Sequence, residues 1–223
     1  MNLLWIVATL SGLVQIAAYG VYIRKSHADQ INPNPTSWLM WSYGTLFVLV
    51  LEYDRDAPLP VLFLPAACAL SSLAVALLCW RRGTLRWPAD LTDRAALLGD
   101  IGLTAAYVAT WFLLANEVLS PEGREIAVIL ILVCTTLSTF VTFVPMIHYT
   151  WDHPSEEHWL PWAMWTLAYT LLGATTLMAD HWTPELMLYP INCVLLHGAV
   201  AYLSRPAFLR SRRVSNLAGP VHS

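Results

Sequence analysis

The residues whose types and spacing could do chemistry are polar side chains set inside long apolar runs. Gln15, Tyr19 and Tyr22 fall at i, i+4 and i+7, one face of a helix. Thr135, Ser138, Thr139 and Thr142 form a hydroxyl stripe on another, either facing a pathway or bonding back to their own helix. Trp41, Thr45 and Glu52 share a face, as do Trp162, Thr166, Tyr169 and Gly173. An aromatic and hydroxyl lining of this kind suits a neutral or zwitterionic organic solute. The alternative reading of the tryptophans is an interfacial belt, which Trp38 and Trp162 fit best. Glu52 lies near a helix end beside Asp54 and Asp56, where water could solvate it.

Asn192 stands eight residues beyond Pro184, roughly 12 Å into its helix and so near a bilayer midplane. His197 follows five residues later, about 140° further around, so the two do not point into one cavity without a kink at Pro190. His197 is either a packing residue or, as the intramembrane group suited to titrate near neutral pH, a proton site. Asp100 is either a proton site or a structural partner of Arg94 or Arg86. The loop Asp152-His153-Pro154-Ser155-Glu156-Glu157-His158 carries two His around two Glu. Its H-x-x-E-E-H spacing is one residue too long for a zinc motif of that type, which leaves a gate or a solvated loop as the preferred reading.

The elements that hold these residues are legible in the composition. Of 223 residues only 12 are Lys or Arg and 15 Asp or Glu, while 57% are hydrophobic and mean hydropathy is +0.53. A soluble domain carries about 25% charge, so a disordered chain, a nucleic-acid binder and an ordinary soluble enzyme are disfavoured. Seven apolar blocks, at 3–23, 37–53, 58–80, 95–117, 125–149, 159–178 and 184–203, each approach the length of a spanning helix. With the N-terminus outside, ten basic residues fall on the cytoplasmic side and only Arg55 and Arg124 outside, the distribution that the positive-inside rule demands. The basic tail after 205 then lies against anionic headgroups. One Lys against eleven Arg suggests a bacterial source. The first block begins without a basic segment and reads as a retained helix, and the four cysteines read as packing residues.

The chain repeats itself. Trp38-Leu39-Met40-Trp41 aligns with Trp162-Ala163-Met164-Trp165 at an offset of 124, and at 125 Pro65-Ala66-Ala67-Cys68 aligns with Pro190-Ile191-Asn192-Cys193 and Ala74-Val75-Ala76 with Ala199-Val200-Ala201. The fourth block has no mate. Three helices invert the chain and one more restores it, so the expected fold is all-α integral membrane: two parallel triple-helix repeats, 1–81 and 120–205, joined through 82–119, with a basic tail at 206–223.

The segments Tyr19 to Gly44 and Val144 to Tyr169 resemble the two PQ-loop repeats of the SWEET, SemiSWEET and PQ-loop superfamily. That resemblance implies small-solute passage by alternating access, with prolines at the cytoplasmic ends of the first two helices of each repeat as hinges. Pro145 and Pro161 occupy those places in the second repeat; Val21 and Ser37 stand there in the first, with Gly20 and Pro35 nearby. The Pro-Gln pair itself is absent, since Met146 follows Pro145. Pro190-Ile191-Asn192 is similar to the family's Pro and Asn at the sugar site with one residue inserted, but its mate is Ala67, so the paired clamp for sugar is missing.

The expected function is a facilitator, open to proton coupling through His197 or Asp100, for a small polar organic solute in a bacterial inner membrane. Its substrate site would comprise Gln15, Tyr19, Trp41, Thr139, Tyr169 and Asn192, with Gly20, Pro35, Pro145 and Pro161 as hinge or gate. The expected partners are the solute and the lipid bilayer, with a second copy of the chain left open; no nucleic acid, metal or cofactor is expected. A membrane receptor or sorting protein of the same fold is the alternative. A vitamin-precursor carrier with W-x-x-W helices ranks lower, since its orientation is reversed. A membrane-embedded enzyme ranks lower too, because the candidate acids and bases are separated along the chain.

Overall fold

The computed structural model describes residues 3–31, 33, 35–84, 91–180 and 182–206, with backbone only for Thr36, Thr92 and Asp93. Arg86 and the arginines of the tail at 210, 212 and 213 lie outside the described residues, and with them the expectations placed on these positions.

All secondary structure among the described residues is helical: α1 (Leu3–His27), α2 (Pro35–Asp54), α3 (Leu59–Arg81), α4 (Leu91–Ala115), α5 (Pro121–Asp152), α6 (Trp159–Met178) and α7 (Pro184–Leu203). The blocks expected at 159–178 and 184–203 coincide with α6 and α7, while α5 runs 32 residues and outgrows its block at both ends. Five helices, α1, α3, α5, α7 and the 94–115 part of α4, are long and apolar enough to cross a membrane. The other two, α2 and α6, are 20 residues each. They carry the W-x-M-W sequences, whose tryptophans and hydroxyls dilute their hydropathy.

The starts and stops have local causes. Proline opens α2, α5 and α7, where its missing N–H removes a group without a helical partner. Ser120 caps α5 by accepting from the N–H of Gly123. At the far end of α2, Asp56 adopts φ 54° and the N–H of Ala57 donates to Glu52 O at 3.0 Å. This left-handed closure turns the chain at Arg55.

In the bundle α3 packs against both α1 and α2, and α7 against both α5 and α6. The two groups meet with α1 along α6 and α2 along α5, and α4 lies on α5 and touches α2. Ser11 Oγ donates to Ala168 O at 2.8 Å across the α1–α6 contact.

Polarity runs opposite to that of a soluble bundle. Leu70, Phe112, Leu130 and Leu195 point outward and are more than half exposed, while Gln15, Ser72, Asp100 and Asn192 are buried. Water would penalise such a surface and hydrocarbon would not, whereas the buried polar groups gain from one another inside.

Candidate functional site

A narrow cavity of about 40 Å³ lies where α2, α5, α6 and α7 converge. Helical spacing selects its wall. On α2, Trp38, Trp41, Thr45 and Val48 follow at i, i+3, i+7 and i+10; on α6, Trp162, Trp165 and Tyr169 repeat the first three steps. From α5 come Thr135, Ser138, Thr139 and Thr142, and from α7 Tyr189, Cys193 and His197 at i, i+4 and i+8. Tyr19 of α1, Cys68 of α3 and Asp100 of α4 complete it.

The polar groups of this wall are unevenly satisfied. Tyr19 Oη lies 3.4 Å from Cys68 Sγ, which lies 3.2 Å from Tyr169 Oη, itself 3.2 Å from Tyr189 Oη. His197 Nδ1 donates to Cys193 O at 2.7 Å, which in a neutral ring leaves Nε2 as an acceptor. Ser138 Oγ donates to Asp100 Oδ1 at 2.8 Å. The indole N–H groups of Trp41 and Trp165 and the hydroxyl of Thr135 have no hydrogen-bond partner. An unpaired buried donor costs roughly 1–3 kcal/mol, so these three are the groups of the wall with most to gain from a polar guest.

The helix ends on the two sides of the cavity are joined by different chemistry. At the tryptophan end, where α2 and α6 begin, Trp38 Nε1 donates to Tyr22 Oη (3.3 Å), which donates to Glu157 Oε1 (3.3 Å), while Trp162 Nε1 donates to Glu157 Oε2 (2.9 Å). The rings of Tyr22, Trp38, Trp41, Trp162 and Trp165 pack edge-to-face or tilted at centroid distances of 4.9–6.4 Å, the geometry that ring quadrupoles favour. Burial pushes the Glu157 carboxyl up to about 7, against the lowering effect of these donors. At the opposite end, Arg55 pairs with Glu125 of α5 and Glu185 of α7, both at 2.8 Å, and Arg124 with Asp54 at 2.7 Å. Arg124 also lies 3.6 Å over the Trp111 ring of α4. The two arginines that stood as exceptions to the charge distribution therefore both bind helices together.

Of the expected substrate residues, Tyr19, Trp41, Thr139 and Tyr169 line this cavity, as do His197 and Asp100. Gln15 and Asn192 do not. Gln15 is fully buried, with both amide atoms unpartnered. Asn192 Nδ2 donates to Thr136 O at 3.0 Å and ties α7 to α5; the spacing that separated it from His197 holds, and His197 takes the cavity side. The hydroxyl stripe satisfies both of its readings, since Ser138, Thr139 and Thr142 bond back to α5 while lining the wall. Gly20 sits in the uninterrupted α1, where a methyl group would meet nothing within 4 Å. Pro35 opens α2, Pro161 is the third residue of α6, and Pro145 lies inside α5.

Three expectations are corrected. Trp38 and Trp162 are not belt residues: they are 2% and 0% exposed because their N–H groups feed the Glu157 network. Glu52 is not solvated beside Asp54 but 1% exposed, since the turn at Asp56 folds it inward. Of the two arginines expected for Asp100, Arg94 is not its partner and Arg86 lies outside the described residues; among these the Asp100 carboxylate meets Ser138, facing α5 and the cavity.

Sequence reasoning missed Glu157, Cys68 and Tyr189. Glu157 could have been found as an acid five residues before a repeated tryptophan, and Tyr189 as the residue one and two turns before Cys193 and His197 on the same face. Among the described residues no group of three or more His, Cys, Asp or Glu is placed to hold a metal ion. No family model matches the chain, and no curated protein or solved structure is significantly similar to it.

Proposed function

We propose that this chain is a seven-span carrier of a bacterial inner membrane that moves a small polar organic solute by alternating access, as its resemblance to the PQ-loop repeats implies. The observation that carries the reading is the cavity: it lies between both W-x-M-W helices, and its wall holds unpaired donors. Apolar rings set beside a limited number of polar groups are the mix that small-ligand sites show.

The helix packing supports a two-repeat architecture with α4 as the linker. Exchanging α1 with α5, α2 with α6 and α3 with α7 converts the α1–α6 contact into α5–α2, and both contacts exist. Under the same exchange Trp41 and Trp165, the two tryptophans with unpaired N–H groups, are mates. His197 and Asp100, both in the wall, are the groups through which proton coupling would run.

The test is uptake of labelled amino acids, amines, sugars and nucleosides into proteoliposomes, comparing wild type with Trp41→Phe and Trp165→Phe. Each substitution keeps an aromatic ring and deletes one donor. Saturable flux of one solute class, with affinity lowered about tenfold by either change, is the expected result. Binding without flux would refute the carrier and favour a receptor of the same fold.

A further inference from the structure

Among the described residues, the wall of the cavity has one formally charged side chain and no counter-ion. Asp100, 2% exposed, reaches it from α4, opposite Gly44 of α2, where even an added Cβ would stand 3.7 Å from Oδ2. No Lys or Arg among the described residues lines the cavity. The arginines at its far end, Arg55 and Arg124, are committed to Glu125, Glu185 and Asp54.

Protein donors do not satisfy the carboxylate either. Ser138 Oγ lies 2.8 Å from Asp100 Oδ1 and 2.8 Å from Thr135 O, and one hydroxyl proton cannot serve both. An ionised carboxylate offers about four acceptor sites, and a buried charge left this bare is costly unless a cation meets it. Beside the hydroxyls of α5 the wall is rich in aromatic rings, with Trp41 one turn from Gly44 on the same face of α2 and in ring contact with Phe143 at 4.7 Å. Ring faces attract cations, most strongly organic ones whose charge is spread and weakly hydrated.

We infer that the cavity selects small organic ammonium compounds, the cationic nitrogen resting between the Asp100 carboxylate and the surrounding ring faces, with an oxygen of the solute accepting from the free indole N–H groups. This rests on the carrier reading above and adds the charge class of its solute. A metal cation fits less well, because the wall offers a single carboxylate and among the described residues no group of three or more His, Cys, Asp or Glu is placed to hold one.

The experiment compares choline and ethanolamine with dimethylbutanol, the uncharged carbon isostere of choline, on the full chain. Binding is read from tryptophan fluorescence of purified protein, and flux from uptake into proteoliposomes. Wild type is expected to bind and move the ammonium compounds saturably and to ignore the isostere, a comparison that needs no variant. Asp100→Asn, which keeps the shape and a partner for Ser138, is expected to weaken ammonium binding about tenfold or more. Equal binding of choline and its isostere, or ammonium binding undiminished by Asp100→Asn, would overturn the inference. Uptake of glucose or uridine but of no ammonium compound would overturn it while leaving the carrier standing. Asp100-dependent choline binding without flux would sustain it while removing the carrier.

Discussion

Substituting Glu157 by Gln isolates the buried acid on which both halves of the tryptophan end hang. Glu157 is 5% exposed and accepts from Trp162 and Tyr22. Burial, the largest influence, and the nearby Glu156 raise its pKa from 4.5 to about 7 against those donors and the backbone N–H of His158. A carboxyl raised on folding favours the folded state when protonated. Its contribution is therefore full below the unfolded pKa near 4.5 and is lost as pH climbs to about 7, a range worth about 3 kcal/mol. Gln carries no charge to bury, but its amide nitrogen cannot accept from Tyr22, a loss of about 1 kcal/mol. The variant should therefore be about as stable as wild type at pH 5 and more stable at pH 8, by about 2 kcal/mol. In a chain of this size that is roughly 4–8 °C in melting temperature. His158 also titrates here, its pKa lowered by burial first and by Lys25 second. That effect costs stability as pH falls below its ordinary 6.5, but it is common to both proteins and cancels in their difference. Melting curves of the detergent-purified proteins across pH 5–8 make the test. Parallel profiles for the two proteins, or a wild type that gains on the variant as pH rises, would refute the burial argument.

At the other end, replacing Arg55 and Arg124 together by Gln removes all three ion pairs that join the α2 turn to α5 and α7. With Cys68 kept as the only thiol, a water-soluble thiol reagent should then label it about tenfold faster, because the pairs clamp the helix ends over the apolar cluster of Phe47, Leu51, Val128 and Leu186 that shields that side; an unchanged rate would show that they do not gate. Asn192→Ala should lower stability by about 1 kcal/mol through loss of the bond to Thr136 O and leave solute affinity within about twofold. A large loss of affinity at unchanged melting temperature would return Asn192 to the binding site.

What the sequence made legible was whatever follows from one helix at a time. Hydropathy and periodicity located the helices of the described residues and put Tyr19, Trp41, Thr139 and Tyr169 on inward faces, whereas of Asn192 and His197, separated by helical rotation, the expected substrate residue Asn192 is the one that does not line the cavity. What it could not carry was contact between helices distant in the chain. Trp38 and Trp162 occupy the helix starts where belt residues stand, and only their separate bonds to a network reaching Glu157, 119 and 5 residues away, take them inside. Asp100 looked like the partner of a nearby arginine because sequence proximity was the only distance available; its actual partner, Ser138, is 38 residues on. Arg55 and Arg124 counted merely as charges on the poorer side of a tally, although each reaches 70 residues along the chain for an acid.

The contrast between the two closures bears on how the proposed cycle would run. Water can replace the partners of Arg55 and Arg124, both already 13% exposed, so their separation exchanges ion pairs for hydration at small net cost. The tryptophan end has no such substitute. Tyr22, Trp38, Trp162 and Trp165 are all 2% exposed or less, and wetting a ring of 150–250 Å² costs roughly 4–6 kcal/mol. Opening by unpacking individual rings is therefore excluded in favour of a rigid separation that keeps Trp38 against Tyr22 and Trp162 on Glu157 within their own halves. The contacts then lost are those across the halves, Tyr22 to Trp162, Trp38 to Trp165 and Trp41 to Phe143. Trp41 and Trp165 belong both to that seam and to the cavity wall. In the proposed carrier, a solute engaging their free N–H groups would act on the same rings that pack across the seam, so that site and gate would share one set of side chains.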